Sequence, residues 1–354
     1  MRQYWPFTQN LLSHETESDC YTDSMKERKL RTRPVILTGN YDPTFAAHVA
    51  EQLDMDVTPV EVTHFADGEI KARIEESVRG ADVFVIQSHG APVNTSIMEH
   101  LAIINAAHYG SAREITAVFP YRSYGRADRI AAPHESFMGK LAMDFFHSAG
   151  ANRILEVDPH AGQSMGFFNG LYDTVPAAPA IRQYIQTRMQ EIDGPVAIVS
   201  PDAGRAKLIR HYADALGNLP RAIVDKKRTD ANQAEVATVI GDVEGMHCFM
   251  IDDMFDTGGT IIKGARALRE LGAISVDILA THGIFSSPAT EQLTRAHDSG
   301  IIDRIAVTDT LKLPAAMDPA LIDQISITGL VARAIERIYN DESVSGYFNG
   351  ETHR

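Results

Sequence analysis

Cysteine is nearly absent from this chain: Cys20 and Cys248 are the only two in 354 residues. Two such distant residues cannot build a disulfide framework or a CxxC zinc site, so a reducing cytoplasm is the expected setting. Long apolar runs are also missing, and none approaches the ~20 residues of a membrane-spanning helix. Positive charge is scarce, with 33 Lys and Arg against 47 Asp and Glu and a formal net charge of −14. A nucleic-acid binder needs a basic footprint, and this balance argues against one. Small phosphorylated ligands stay open, since they need cations only at the site. No short-period repeat or low-complexity segment occurs. What is present is an ordinary globular mixture, 44% hydrophobic and 23% charged, at a length of about two domains.

Residues 1–33 combine an aromatic patch (Tyr4, Trp5, Phe7) with Glu15, Glu17 and Asp19, then the run Lys26-Glu27-Arg28-Lys29. A secretory leader needs a longer apolar stretch behind its positive end. The segment therefore reads as an N-terminal extension, expected to be flexible. From Pro34 the pattern becomes regular. Apolar runs such as Val35-Ile36-Leu37, Val83 to Ile86, Ile115 to Phe119, Ile154 to Val157, Val196 to Val199, Phe249 to Ile251, Val276 to Leu279 and Ile305 to Val307 alternate with stretches of helical length. Asp42-Pro43 is a helix-start signal for residues 44–53. Strands apolar throughout, separated by helices, predict α/β units whose mainly parallel sheets are covered by helices. The Pro/Ala cluster from Pro176 to Pro179 suggests a division into residues 34–176 and 177–354. In open α/β sheets ligands bind beyond the carboxyl ends of strands, and the informative residues stand just there.

The most telling run is Ile251-Asp252-Asp253-Met254-Phe255-Asp256-Thr257-Gly258-Gly259-Thr260. It leaves a strand and opens the helix from Ile261 onward. Gly258 and Gly259 admit close backbone approach, Thr257 and Thr260 add hydroxyls, and a helix N-terminus offers unsatisfied N–H groups to a phosphate. Asp252 and Asp253 would repel that phosphate, so they serve another part of the ligand. Ionised carboxylates only accept hydrogen bonds, which suits vicinal sugar hydroxyls. Phosphate plus diol means a ribose phosphate.

This run resembles the ribose-phosphate loop of the phosphoribosyltransferases, and three further stretches narrow the match. Phe65-Ala66-Asp67-Gly68-Glu69 resembles the ATP-site loop of ribose-phosphate pyrophosphokinases. Asp158-Pro159-His160-Ala161-Gly162-Gln163 with Gly166-Phe167-Phe168 resembles their signature, and Asp225-Lys226-Lys227-Arg228 followed by Ala231-Asn232 and Ala234-Glu235-Val236 their catalytic flexible loop. The likeness runs from about Pro34 to Phe348, in the family's order.

The resemblance implies two tandem phosphoribosyltransferase-like domains, with the C-terminal segment able to pack back on the first. It also implies transfer of a diphosphoryl group from MgATP to ribose 5-phosphate, giving phosphoribosyl pyrophosphate and AMP. Lys226 and Arg228 become the catalytic cations. Phe65, Asp67, Glu69, Arg126 and His160 become ATP-binding residues, and His160 and Asp202 hold Mg²⁺. Asp252, Asp253, Asp256, Thr257, Gly258, Gly259 and Thr260 bind ribose 5-phosphate. The Phe65 loop serves a neighbouring subunit's nucleotide, so a homo-oligomer built from dimers, up to a hexamer, is implied. Departures are Ala127 after Arg126, where Gln is usual; Pro159 for Leu; and Arg205 where a second Gly is usual. The stretch from Ile130 to Glu135 lacks the cations of the family's phosphate and ADP effector site. Two other readings stay open here: a catalytically silent regulatory homologue, and a one-step phosphoribosyltransferase.

Overall fold

A computed structural model describes residues 34–227 and 236–348. The extension 1–33 and Arg228 to Glu235 of the flexible-loop motif lie outside the described residues. Five parallel strands form the first sheet in the order β1-β4-β5-β6-β7: β1 (Val35–Thr38), β4 (Asp82–Ile86), β5 (Glu114–Phe119), β6 (Arg153–Val157) and β7 (Leu171–Val175). The hairpin of β2 (Val60–His64) and β3 (Ile70–Ile74) pairs antiparallel apart from it. Helices α1 (Pro43–Gln52), α2 (Val93–Tyr109) and α3 (Met138–Ala149) connect these strands. Asp42 caps α1 by accepting from the Phe45 N–H, and Pro43 stands in the first turn, where its missing N–H costs nothing.

After α4 (Ala178–Met189) comes a seven-stranded sheet in the order β10-β9-β8-β11-β12-β13-β14. Its strands are β8 (Val196–Ser200), β9 (Arg221–Lys227), β10 (Val236–Ile240), β11 (His247–Phe255), β12 (Ser275–Gly283), β13 (Arg304–Thr308) and β14 (Ile322–Ile325). All neighbours run parallel except the β9–β10 edge pair. The helices of this half are α5 (Ala206–Ala215), α6 (Gly259–Glu270), α7 (Ala289–Asp298), α8 (Thr328–Tyr339) and the single turn α9 (Val344–Tyr347).

Period-two alternation explains why the strands read apolar throughout. In β4, Val83 and Val85 enter the core beneath α2 and α3, whereas Phe84 and Ile86 enter a second core. In β11, Phe249 and Ile251 join that second core, while Cys248 and Met250 pack beneath α6 and α7. The second core thus joins both sheets, with Ile181 and Ile185 of α4 and Val331 and Ile335 of α8 between them. Each such side chain contributes about 1.5–3 kcal/mol on burial, so the two sheets share one stabilising interior. Helix α8 also packs on α1, and α9 on β7.

Two expectations need correction in detail. Asp252 and Asp253 belong to the strand, since β11 runs on to Phe255, and the helix opens at Gly259 rather than Ile261. The cause is β12, which keeps pairing as far as Phe255 opposite Gly283.

Candidate active site

Four strand ends converge on one cleft of about 250 Å³, lined by Arg126, His160, Asp202, Arg205, Asp252, Asp253, Asp256, Thr257, Gly258 and Thr260 among others. Arg126 follows β5, His160 follows β6, Asp202 follows β8, and the two aspartates stand in β11 shortly before its end at Phe255. A cleft at the carboxyl edge of parallel strands is where an α/β sheet binds its ligand.

Gly258 caps α6 with φ +80°, a conformation only glycine adopts at low cost. A Cβ there would meet Leu293 no closer than 3.5 Å, so the requirement is backbone shape rather than space. The amide of Ile262 closes the first helical turn on the Gly258 carbonyl at 3.0 Å. The preceding N–H groups of the turn face the cleft end of the helix, where the helix dipole favours an anion.

The carboxylates are held by basic side chains from other elements. His160 Nδ1 lies 2.6 Å from Asp253 Oδ2, and Arg205 Nη2 lies 2.5 Å from the same oxygen. Arg205 Nη2 is 3.2 Å from His160 Nδ1, so two donors converge on one acceptor. Nε of Arg205 is 3.7 Å from Asp252 Oδ1, which also accepts the Asp253 N–H at 2.8 Å. Arg126 Nη1 meets Asp256 Oδ2 at 2.6 Å. Asp202 Oδ1 accepts the Arg205 N–H at 3.1 Å, which fixes the turn from Ala203 to Arg205 at the start of α5.

These contacts split the two neighbouring carboxyls. Burial, and then the charge of Asp253, push Asp252 above the usual carboxylate range. Burial also acts on Asp253, but the His160 hydrogen bond and the Arg205 charge outweigh it and hold this group low. Asp256 is held low in the same way, with burial outweighed by Ser286 and Arg126. One carboxyl of the pair is therefore a ready acceptor in neutral solution, and the other is easily protonated.

Asp158, with φ +38°, ties the halves together. Its Oδ2 accepts from the Thr281 hydroxyl at 2.7 Å and from the Ala177 N–H at 3.2 Å.

Phe65, Asp67 and Glu69 are not brought to this cleft. They form the turn between β2 and β3, where Phe65 is 54% exposed and Asp67 Oδ1 accepts the Glu69 N–H. Lys226 stands in β9 opposite Ala237 of β10, beside the undescribed segment that begins at Arg228. The residue that sequence reasoning missed as a site residue is Arg205. Its position three residues after Asp202, in a strand-end turn, was the available signal.

Comparison with known proteins identifies the family. Residues 34–150 match the family described as the N-terminal domain of ribose phosphate pyrophosphokinase, and residues 197–349 the phosphoribosyl synthetase-associated domain. A ribose-phosphate pyrophosphokinase of Bifidobacterium longum is 43% identical over 317 residues, 89% of this chain and 92% of that protein. One from Caldanaerobacter subterraneus subsp. tengcongensis is 42% identical over 328 residues, 93% and 99% of the two chains. The crystal structure of phosphoribosylpyrophosphate synthetase from Mycobacterium smegmatis superposes with a TM-score of 0.81 at 38% identity, covering 88% of this chain and all of that one. On this similarity, nearly end to end outside the N-terminal extension, the chain belongs to the ribose-phosphate pyrophosphokinase family.

Proposed function

We propose that this chain transfers the β,γ-diphosphoryl group of MgATP to the C1 hydroxyl of ribose 5-phosphate, releasing AMP. The observation that carries the reading is the run from Asp252 to Thr260. It sets sugar-type acceptors and a phosphate-type helix start on one cleft, with His160, Asp202 and Arg126 brought onto it from three other strand ends. In the reaction the C1 oxygen bonds to the β-phosphorus while the bond from that phosphorus to AMP breaks, and the hydroxyl proton is lost. Such a transfer is governed by positioning and by cations placed where charge collects.

The 5-phosphate is assigned to the amides from Gly258 to Thr260 and the Thr257 and Thr260 hydroxyls, and the diol to Asp252 and Asp253. Asp256 holds Arg126 toward the nucleotide. Lys226 and Arg228 are assigned to the transferring phosphoryl oxygens. The donor set suits magnesium, a hard cation that takes oxygen ligands and keeps several waters. Asp202 supplies a carboxylate, and His160, with Nδ1 turned to Asp253, keeps the Nε2 lone pair for a ligand. When bound, Mg²⁺ supplies neutralisation of phosphate charge. These two residues are assigned to hold it.

Phe65 is assigned to stack on adenine, with Asp67 and Glu69 as acceptors. Their absence from the lining of their own chain's cleft supports service to a neighbouring subunit, hence a dimer-based homo-oligomer. The domain division is placed between residues 34–176 and 177–354, which is supported by the end of β7 at Val175 and the start of α4 at Ala178. A cytoplasmic location is supported by the substrates and the scarcity of cysteine. No helix among the described residues is long and apolar enough to cross a membrane.

The test is incubation with MgATP and ribose 5-phosphate, followed by nucleotide chromatography. AMP should form only when both substrates are present. A chain that forms none, while binding both, would be a silent homologue.

A further inference from the structure

We propose that His64 and Glu99 are positioning residues for the loop assigned to adenine, locking the base of the turn that carries Phe65, Asp67 and Glu69. The inference rests on the reading of that turn as part of an ATP site. The hairpin meets the body of the chain through alternate side chains, Val60 and Val62 of β2 and Ala72 and Ile74 of β3, which pack against the core beneath α2. That apolar seam stops short of the turn. Every residue from His64 to Glu69 is exposed. The turn's own backbone bonds, from the Phe65 N–H to the Glu69 carbonyl at 2.8 Å and from the Gly68 N–H to the Phe65 carbonyl at 2.9 Å, shape it from within.

The tie to the body is Glu99 of α2, whose side chain is only 4% exposed. Its Oε1 accepts from His64 Nε2 at 2.9 Å and from Asn40 Nδ2 at 3.1 Å. Its Oε2 accepts from the Asn40 N–H and from Gln87 Nε2, both at 3.1 Å. A carboxylate buried this deeply is costly unless its oxygens are satisfied, and these donors satisfy both. Asn40 follows β1 and Gln87 follows β4, so two strand ends of the first sheet hold the acceptor still. Asn40 Nδ2 also reaches the Val62 carbonyl of β2 at 3.3 Å. Among these donors only His64 belongs to the hairpin, and it is the residue directly before Phe65. Its side chain is 40% exposed, so it adds little to the core. What its hydrogen bond fixes is the direction in which the chain leaves β2 and enters the turn. A loop already held in its binding conformation loses less freedom when the ligand arrives. The benefit should fall on the base, which the turn would touch, and not on the phosphates or the sugar phosphate.

The experiment measures the dissociation constants of MgATP, magnesium tripolyphosphate and ribose 5-phosphate on the full chain by calorimetry, for wild type, His64→Ala, His64→Gln and Phe65→Ala. His64→Ala should weaken MgATP about three- to ten-fold, the range that one hydrogen bond spans. Affinity for tripolyphosphate, which lacks the base, should stay nearly unchanged, as should ribose 5-phosphate affinity and the melting temperature. His64→Gln sets an amide N–H near the place of Nε2 and should recover most of the loss. Phe65→Ala should weaken MgATP at least as much as His64→Ala. A His64→Ala variant that binds MgATP like wild type overturns the proposal. So does one that weakens tripolyphosphate equally, or a glutamine variant no better than the alanine. If Phe65→Ala still weakens MgATP in that case, only the positioning role falls. If Phe65→Ala also binds like wild type, or wild type binds no MgATP, the reading of the turn falls and the positioning role with it.

Discussion

Arg126 and Asp256 lie 130 residues apart in sequence, and their side chains meet at 2.6 Å. The arginine follows the third strand of the first sheet, and the aspartate stands between β11 and α6 of the second. This pair joins the part of the cleft assigned to nucleotide with the part assigned to sugar phosphate. Half of the Arg126 side chain is exposed, so the pair adds at most about 1 kcal/mol to stability. Its value is in orientation.

Arg126→Ala should therefore leave the melting temperature nearly unchanged and raise the KM for ATP several-fold more than that for ribose 5-phosphate. Steady-state kinetics with each substrate varied in turn checks this. Equal effects on both constants would move Arg126 out of the nucleotide site.

Replacing Gly258 tests the helix start. A valine there must adopt φ near +80°, which costs a β-branched residue on the order of 1–3 kcal/mol, and the turn is expected to change shape rather than bear it. Ribose 5-phosphate affinity, measured by calorimetry, should fall at least ten-fold. Asp252→Asn and Asp253→Asn should also weaken the sugar, since an amide replaces one acceptor oxygen with a donor. Unchanged affinity in all three variants would place the sugar elsewhere.

Much of this was legible in the chain itself, for identifiable reasons. Strands buried on both faces leave unbroken apolar runs, and β4, β5, β8 and β12 could be read from them. The cleft-lining run from Asp252 to Thr260 was legible because glycine, threonine and aspartate stand together at a strand–helix junction. The hairpin β2–β3 was not, because Val60 to His64 and Ile70 to Ile74 mix charged and apolar residues and leave one face exposed. Nor was β14, whose Ile322 and Ile325 are only two apolar positions in a short edge strand. Arg205 stands out in the sequence as an irregular residue but not as a partner of Asp253, because nothing local links positions 48 residues apart. That contact exists only once β8 and β11 pair side by side.

The unequal carboxyls predict a pH signature. Asp252 is pushed up by burial and by Asp253, so it destabilises the folded state once the pH rises above the ordinary carboxylate range and toward its folded value. Asp253 is held low, so its contribution is present above that range and is lost only as the pH falls through its folded value, near 2. Asp252→Asn should accordingly melt higher than wild type at pH 8, by about 1 kcal/mol or more, with a gain that shrinks toward pH 5. Asp253→Asn should be destabilised throughout that interval, because the acceptor that Arg205 and His160 share loses its negative charge. Scanning calorimetry at the two pH values decides, and a gain at pH 8 that persists unchanged at pH 5 would contradict the assignment.

For Lys226 and Arg228 the expected signature is kinetic. Each alanine variant should lose on the order of 10²–10³ in kcat, the usual effect of removing a group that stabilises transition-state charge. Ribose 5-phosphate binding should change little. Near-wild-type turnover in both variants would remove them from catalysis.

Regulation should be weak in this chain. An effector site for phosphate or ADP depends on cations, and residues 130–135, Ile-Ala-Ala-Pro-His-Glu, carry no Lys or Arg. The folded loop adds a reason of its own. The Glu135 carboxylate accepts the N–H groups of Ala131 and Ala132 at 2.9 and 3.0 Å, so a negative group occupies the amides an anion could have used. At the other end of the chain the Ser343 hydroxyl caps α9 by accepting the Gly346 N–H at 3.0 Å, and it lies 3.3 Å from Ser345 Oγ. Each missing charge-assisted hydrogen bond withdraws about 1.5–3 kcal/mol, so losing one or two weakens an effector by ten-fold or much more. Phosphate should activate little, and ADP should inhibit mainly by competing with ATP. Initial rates over an ATP series at several fixed ADP and phosphate concentrations test both statements. ADP inhibition that saturating ATP fails to relieve, together with strong phosphate dependence, would show an effector site built from other residues.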